Sequence, residues 1–222
     1  MRGYDDPCGI ARALGAVGER WALLVVRELM FGPKRYADLR RGLPTMSENV
    51  LSQRLRELER TGLVLRRRLG PPSSAWVYEL TARGRELEPV LIALAQWGTR
   101  MRLDATITSD LSVDALVFAL KTTFDAATAG ALETTCQLRL GADRFHAQVS
   151  DGQFQVARGE VDNAEVTITA TPATLQSLVF GDRSLADAEH VGDAAVEGDH
   201  QAAEQLLRCF PRTVPFSPAV SP

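Results

Sequence analysis

Between residues 47 and 80 the hydrophobic pattern changes at Gly62 from the period of a helix to that of strands. On the N-terminal side Leu51, Leu55 and Leu58 recur every three or four residues, which places them on one helix face. A helix that ends at a glycine and is followed at once by strands restricts the local fold to a few supersecondary motifs.

The strand-like part predicts a β-hairpin. Residues 63–69 and 75–80 are two strand-like runs, and a turn of glycine, proline and serine at 70–74 separates them. The first run contains three consecutive arginines, so the hairpin would present positive charge to solvent. A basic hairpin of this kind is suited to lie along phosphates, which position a protein on DNA without specifying the sequence.

Three shorter helices are predicted before this region, over about residues 8–18, 21–32 and 35–41. Ser47 can cap the helix that follows them and runs to about Thr61. The last two of these four helices have the proportions of a helix-turn-helix, in which the second helix enters the major groove.

A final helix of the first half is predicted over residues 82–102, with Thr81 as its cap. At 21 residues it would be about 30 Å long. Its apolar side chains form one stripe: Leu87, Val90, Leu91, Leu94, Trp97 and Met101. Because so long a stripe either covers the core or pairs with a second subunit, we expect a homodimer.

Charge is divided unequally between the two halves of the 222-residue chain, whose net charge is -3. Residues 1–102 contain 18 Lys+Arg and 11 Asp+Glu, whereas residues 103–222 contain 7 and 17. The halves therefore stand at +7 and -10. Such asymmetry indicates two domains with different partners, and the basic one is suited to a polyanion.

A helical-wheel projection of residues 47–61 separates the core stripe from an exposed polar side. Asparagine and glutamine suit adenine edges, and arginine suits guanine or phosphate. The candidate DNA-binding residues are Arg35, Ser47, Asn49, Ser52, Gln53, Arg54, Arg56, Arg60, Arg67, Arg68 and Ser73. For Arg54, a salt bridge to Glu57 or Glu59 competes with a phosphate contact. The alternative is that all of them are ordinary solvent-exposed residues.

Several short motifs between Cys8 and Gly98 follow one another in a recognisable order. They are Cys8, Gly18-Glu19-Arg20-Trp21, residues 32–39, residues 51–64, residues 78–84, Pro89 and Trp97-Gly98. In these motifs the chain resembles the HxlR-type winged-helix regulators of bacteria. The resemblance implies a homodimeric transcriptional regulator on a double-stranded DNA operator with two-fold symmetry. Glu19-Arg20 and Met46-Ser47 depart from the usual family pattern of Gly-Lys and Ile-Ser.

The second half predicts a separate α+β sandwich, an antiparallel sheet with helices on one face. Ser112 can cap a helix that ends near Phe124. Alternating strand runs and further helices follow it, at 133–140, 143–150, 152–158 and 164–170 for strands, then 172–180 and 201–209 for helices. The expected organisation is a DNA-binding domain at 1–102, a linker at 103–111, this domain at 112–210 and a Pro-rich tail at 211–222.

Residues 164–169, Leu175 to Gly181, Gly192 and 196–199 resemble the sterol carrier protein type 2 fold. The resemblance implies a hydrophobic tunnel that binds an apolar small molecule. Its candidate ligand-binding residues are Phe118, Phe124, Phe145, Phe154, Val156, Leu175, Leu178, Val179 and Phe180. The same side chains can also simply fill a core. Two roles for this domain therefore stay open, ligand sensing and stabilisation of a dimer. A further alternative for the whole protein is a small-molecule carrier whose basic domain contacts proteins.

No catalytic constellation is recognised in the sequence, so neither an enzyme nor a cofactor is expected. The three histidines lack metal-ligand spacing, and there is no nucleophile elbow or phosphate-binding glycine loop. The sequence shows no secretory leader and no run near the roughly 18 apolar residues of a membrane span. With three scattered cysteines, a cytoplasmic location without membrane contact is expected.

Cys8 is a candidate for redox sensing, because some regulators of this type respond to oxidants through an N-terminal cysteine. Such a role requires a thiolate. Arg12, one helical turn further on, is the nearest cation in the sequence. The alternative is a small buried residue in the first helix.

Overall fold

The computed structural model describes residues 4–71, 73–101 and 110–211. The chain divides into two compact units, residues 1–91 and 92–222. Most of the predicted linker at 103–111 and of the predicted tail at 211–222 lies outside the described residues.

The first unit begins with four helices, and the sequence predicted all four. They are α1 (Gly9–Val17), α2 (Ala22–Glu28), α3 (Tyr36–Gly42) and α4 (Glu48–Arg60). Side chains cap the N-termini of two of these helices. Cys8 Sγ accepts from the Ala11 amide at 3.2 Å at the start of α1, and Ser47 Oγ accepts from the Val50 amide at 3.4 Å at the start of α4. These contacts satisfy amide hydrogens that have no partner within the helix.

A two-stranded antiparallel hairpin follows α4, as predicted. It consists of β1 (Val64–Arg68) and β2 (Trp76–Leu80). Gly62 has a φ of +71°, which allows the chain to turn from α4 into β1. Lys34 and Tyr78 exchange two backbone hydrogen bonds of 2.9 and 2.8 Å, so the loop before α3 is fixed to the hairpin.

The core of the first unit lies under α4. Leu51, Leu55 and Leu58 are each at most 1% exposed, which confirms the predicted stripe. Glu28 is also fully buried and forms ion pairs with Arg27 at 2.9 Å and Lys34 at 3.0 Å. These pairs offset the cost of burying a carboxylate among apolar side chains.

The predicted single helix over 82–102 is wrong, because the structure has two helices there. They are α5 (Ala82–Arg85) and α6 (Glu88–Gly98). Pro89 lies in the first turn of α6 and has no amide hydrogen to donate to the carbonyl of Arg85. A helix can begin at this proline, but an unbroken one through it would lose a hydrogen bond.

The second unit contains five helices and five strands among its described residues after position 110. In chain order they are α7 (Val113–Thr123), α8 (Ala126–Ala129), β3 (Thr134–Leu140), β4 (Asp143–Ser150), β5 (Gln153–Arg158), β6 (Val166–Ala170), α9 (Pro172–Phe180), α10 (Leu185–His190), β7 (Ala194–Gly198) and α11 (His200–Arg208). The sequence did not predict α8, α10 or β7.

The sheet has the strand order β5-β4-β3-β6-β7 and is mixed, so the prediction of a purely antiparallel sheet is wrong. Strand β6 pairs with β3 in parallel, with Cys136 opposite Val166 and Leu140 opposite Ala170. The Gln137 side chain donates to Gly159 O and accepts from the Val161 amide at 2.9 Å. It thereby holds the segment that carries the chain from β5 across the sheet to β6.

Three helices cover one face of this sheet, as the predicted sandwich required. Leu120 of α7, Leu175 of α9 and Leu206 of α11 surround one small apolar cavity together with side chains of the sheet. The core of the second unit therefore lies between that face and the three helices.

Candidate nucleic-acid interface

The helix-turn-helix is fixed by two side chains of α3. The Tyr36 hydroxyl donates to the carbonyl of Glu48 at 3.0 Å and lies 3.1 Å from Ser52 Oγ. Arg40 donates to the carbonyl oxygens of Leu43 and Met46 in the turn. Together these contacts set the position of α4, the candidate recognition helix, against α3.

Four of the predicted DNA-binding residues lie exposed along α4: Asn49, Gln53, Arg56 and Arg60. Gln53 Nε2 donates to Glu57 Oε1 at 3.1 Å. Two others have structural partners: Ser47 caps the helix, and Ser52 is half-buried beside Tyr36. The exposed four form the surface that α4 could present to a major groove.

Arg54, another predicted DNA-binding residue, has a different position from these four. It is buried on α4, with its guanidinium 2.5 Å from Glu57 and 3.4 Å from Glu19. Arg54 Nη1 is not aligned for a hydrogen bond to Glu57, so the contact is an ion pair. Of the two alternatives that the sequence left open for Arg54, the structure contains the salt bridge to Glu57.

The hairpin contains a basic residue that the sequence prediction omitted, Arg66. Its guanidinium lies 4.7 Å from the ring centre of Trp76 and 5.9 Å from that of Tyr78, which is directly opposite it on β2. Arg66 is exposed, and Trp76 is 52% exposed. Cation–π contacts with the two rings therefore hold the Arg66 side chain while it stays exposed to solvent. The signal in the sequence that could have identified Arg66 was the presence of two aromatic residues, Trp76 and Tyr78, on the neighbouring predicted strand.

Arg67, by contrast, is predicted as a phosphate contact but has a carboxylate partner. Its Nε donates to Glu79 Oε2 at 2.5 Å, and Arg85 donates to the other oxygen of Glu79 at 3.0 Å. The hydrogen bond from Arg67 is the main reason why the pKa of Glu79 lies below its usual range. Much of the charge of Arg67 is thus compensated within the protein.

The remaining predicted DNA-binding residues form hydrogen bonds at the tip of the hairpin. Arg35 Nη2 donates to Ser73 Oγ at 2.7 Å, and Arg68 Nε donates to the carbonyl of Ser74 at 3.1 Å. All three predicted residues here, Arg35, Arg68 and Ser73, are exposed. They remain accessible to a phosphate backbone.

Tyr78 connects the hairpin electrostatically with α4. Burial raises the pKa of its hydroxyl, and the cations Arg66 and Arg56 oppose that shift, whereas Glu59 and Tyr36 add to it. Charged side chains of both signs, from β1 and from α4, therefore act on this hydroxyl.

The predicted ligand-binding residues occupy three settings in the second unit. Phe154, Leu175 and Val179 line the small apolar cavity of about 10 Å³. Leu178 and Val179 line an open cleft of about 380 Å³ beside α11. The others fill the core or pack beside it: Phe118, Phe145 and Val156 are buried, and Phe124 and Phe180 are half-buried. The predicted residues therefore do not line one common tunnel of the kind that the resemblance implied.

The three cysteines differ in accessibility. Cys8 is exposed, while Cys136 and Cys209 are buried. Burial raises the pKa of Cys136 to about 12 and also raises that of Cys209. The expectation that Cys8 could be a buried packing residue is therefore not met.

Within residues 4–71, 73–101 and 110–211, no group of three His, Cys, Asp or Glu side chains is placed to hold a metal ion. In the same ranges, no helix has the length and apolar character of a membrane span.

Two family models match the chain. The model for the HxlR-like helix-turn-helix matches residues 16–105, and the model for the alkyl sulfatase C-terminal domain matches residues 102–222. The second match replaces the sterol carrier protein assignment, which is not confirmed. The loose motifs of the second half were insufficient to identify the fusion partner.

Individual proteins are also similar to parts of this chain. The uncharacterized HTH-type transcriptional regulator YkvN of Bacillus subtilis is 40% identical over 91 residues, which are 41% of this chain and 77% of that protein. The reduced form of the transcriptional regulator YodB from B. subtilis is 29% identical, over 47% of this chain and 100% of that one, with a TM-score of 0.39. A double mutant of the sec-alkyl sulfatase PisA1 is 20% identical, over 49% of this chain and 17% of that one, with a TM-score of 0.43.

Proposed function

This chain belongs to the HxlR-like helix-turn-helix family through residues 16–105 and to the alkyl sulfatase C-terminal family through residues 102–222, and we propose that it is a DNA-binding regulator of transcription with an effector-binding second unit. As a regulator of its own cell's genes it would act in the cytoplasm.

The observation that supports DNA binding best is that α4 and the hairpin that follows it each expose an arginine, Arg56 and Arg66. One arginine is on the recognition helix and the other on the hairpin, so both elements can meet one duplex. In this proposal α4 contacts base edges through Asn49, Gln53 and Arg56, while Arg66 and the hairpin tip contact phosphates.

Fluorescence anisotropy of the protein with DNA from its own upstream region tests this proposal, with a scrambled duplex as control. We expect tighter binding to the upstream DNA and a fall in affinity on both duplexes as salt rises from 50 to 200 mM, because phosphate contacts release counterions. Binding to neither duplex at 50 mM salt would contradict the proposal.

We further propose a homodimer. On α1, Ile10 and Leu14 are 73% and 43% exposed, and on α6, Leu94 and Trp97 are 44% and 61% exposed. Apolar side chains exposed on helices are typical of surfaces that a second subunit covers. Two recognition helices related by a two-fold axis would address half-sites about one DNA turn apart. Sedimentation of a monomer at micromolar concentration would contradict the dimer.

For the second unit we propose binding of an apolar small molecule that changes the affinity for DNA. Its support is the apolar cavity between sheet and helices and the larger cleft beside it. The proposed role is binding rather than catalysis, and hydrolysis of an alkyl sulfate by the purified protein would contradict that. The alternative regulator, a thiol-based sensor, is favoured by the exposure of Cys8 alone.

A further inference from the structure

The Tyr36 hydroxyl makes two hydrogen bonds where α3 meets α4. Its oxygen lies 3.0 Å from the carbonyl oxygen of Glu48 and 3.1 Å from Ser52 Oγ. A carbonyl oxygen can only accept, so the first of these bonds uses the single hydrogen of the Tyr36 hydroxyl. For its contact with Ser52, the oxygen of Tyr36 has only lone pairs to offer.

The direction of the second bond follows from the first. Because Tyr36 has no second hydrogen, Ser52 must be the donor in the contact of 3.1 Å. A serine hydroxyl has only one hydrogen as well, and this bond uses it. Toward any further partner, Ser52 Oγ can therefore act only as an acceptor.

Ser52 lies at the edge of the surface that α4 exposes. It is half-buried, whereas Asn49, three residues before it, and Arg56, four residues after it, are both exposed. Residues at these separations are neighbours on one side of a helix. A duplex that contacts Asn49 and Arg56 would therefore also lie close to the Ser52 hydroxyl.

The four bases differ in what they offer to such an acceptor. In the major groove, adenine and cytosine present exocyclic amino groups, which donate, whereas guanine and thymine present oxygens, which accept. Phosphate oxygens also accept only. A hydroxyl whose hydrogen is already used can bind an amino group, but it cannot bind an oxygen of guanine, thymine or phosphate.

From this bonding pattern we infer that Ser52 selects a base with an exocyclic amino group, and that Tyr36 imposes this selectivity by holding the Ser52 hydrogen. Ser52 is then a specificity-determining residue and Tyr36 a positioning residue. The inference rests on the DNA-binding role proposed above and adds the class of base that is read at one position. A serine whose hydrogen is free to turn would bind either class.

Selection of bound duplexes from a random pool by the full chain, followed by sequencing and competition titrations, tests the inference. We expect one position at which adenine or cytosine binds about three- to tenfold more tightly than guanine or thymine, which is the effect of one hydrogen bond. The reason is that an opposing oxygen forces Ser52 either to release Tyr36 or to leave the contact with the base unmade.

Two variants identify that position. Ser52→Ala removes the acceptor, and Tyr36→Phe removes only the hydroxyl that holds the Ser52 hydrogen. Both should reduce the preference at the same position to less than about twofold and leave the preferences at all other positions unchanged. Tyr4→Phe is the matched control, because Tyr4 is exposed and precedes α1, so every preference should be retained.

Base analogues determine which amino group is read, and they need no variant that might fold poorly. In duplexes for the wild-type protein, purine in place of adenine removes only the N6 amino group, and 2-pyrimidinone in place of cytosine removes only the N4 amino group. The analogue of the base that is read should weaken binding about three- to tenfold. Unchanged affinity with both analogues would overturn the inference.

The remaining outcomes separate the inference from the proposed function. Equal weakening on all sequences in both variants would show that the two hydroxyls only support the fold or contact phosphates, which overturns the inference but not DNA binding. A changed preference in only one variant would overturn it too, since the bonding pattern requires both hydroxyls. Enrichment of no sequence by the wild-type protein would overturn the inference together with sequence-specific regulation.

Discussion

Arg67 donates a hydrogen bond from Nε to Glu79 Oε2, and Arg66, its neighbour on the same strand, lies instead against the rings of Trp76 and Tyr78. Consecutive residues of a strand point to opposite faces of the hairpin. The arginines of β1 are therefore not equivalent, although the sequence shows them as one run.

The first prediction compares these two arginines. Arg66→Gln should weaken binding to specific and unrelated DNA alike and flatten the slope of log K against log salt by about one. Arg67→Gln should have a smaller effect, because Glu79 already compensates much of its charge. Anisotropy titrations between 50 and 200 mM salt measure both slopes, and equal losses in the two variants would contradict the assignment.

The second prediction concerns pH. The pKa of Glu79 is lowered chiefly by the hydrogen bond from Arg67, so the folded state favours the carboxylate. Its contribution to the free energy of unfolding is present above the ordinary pKa of about 4.3 and is lost as the pH falls through the lower, folded-state value. Since Glu79 is partly exposed, the contribution should be about 0.2–1 kcal/mol.

Urea unfolding at pH 7 and pH 3 measures this contribution. Glu79→Gln should destabilise the protein at pH 7 and lose less stability than the wild type on acidification. The same pH dependence in variant and wild type would show that Glu79 contributes nothing.

The third prediction concerns base preference. Gln53→Ala and Arg56→Ala should each cost about 1–3 kcal/mol on the specific site and much less on unrelated DNA, because both side chains are exposed on α4 where base edges would lie. Competition titrations with single-base variants of the upstream DNA locate the affected positions. A loss of equal size on every duplex would assign both residues to the phosphates.

The fourth prediction separates Arg54 from its exposed neighbour Arg56. Arg54→Met should lower the free energy of unfolding by about 1–3 kcal/mol, because it removes the ion pairs that the buried Arg54 guanidinium forms with the more exposed Glu57 and Glu19. Arg56→Met, the same substitution two residues further along the helix, should change it by less than about 0.5 kcal/mol. Chemical denaturation of both variants makes the comparison, and a stable Arg54→Met would show the pairs to be dispensable.

The fifth prediction concerns the cysteines. Iodoacetamide should modify Cys8 rapidly, because it is exposed, and Cys136 only after unfolding, because burial raises its pKa to about 12. Peptide mass mapping over time identifies the modified residues. Modification of Cys136 at the rate of Cys8 would mean that the sheet opens readily.

The first unit was predictable because its signals are local. Leu51, Leu55 and Leu58 define the buried face of α4 by their spacing alone, and Gly62 ends the helix. Pro89, which marks the start of a second helix after Thr81, was also visible in the sequence. The single helix was predicted nevertheless, because the apolar stripe continues without interruption past Pro89. A helical period does not exclude a break in the helix, and the missing amide of Pro89 favours one.

Partner choice within the candidate site could not be predicted. Nothing in three consecutive arginines says which one faces Glu79, since that depends on the register of β1 against β2. For Arg54, the pair with Glu57 was one of the predicted alternatives, whereas the contact with Glu19, which is distant in sequence, was not predicted.

The second unit was harder to predict because its defining contacts are long-range. The parallel pairing of residues 136–140 with 166–170 leaves no local signal. Strand β7 has the sequence Ala-Ala-Val-Glu-Gly, which lacks the alternation of large apolar residues by which strands are recognised.

The parallel pair at the centre of the sheet also sets an order of events during synthesis. Strand β3 cannot pair with β6 until residue 170 has left the ribosome, and the edge strand β7 can be added only after residue 198 has done so. By then residues 1–91 have long been available to fold, since domains generally fold as units from the N-terminus. Nascent chains halted before the last forty residues should therefore hold a DNA-binding half in native form beside an unfinished sheet, and a chaperone would meet only the second.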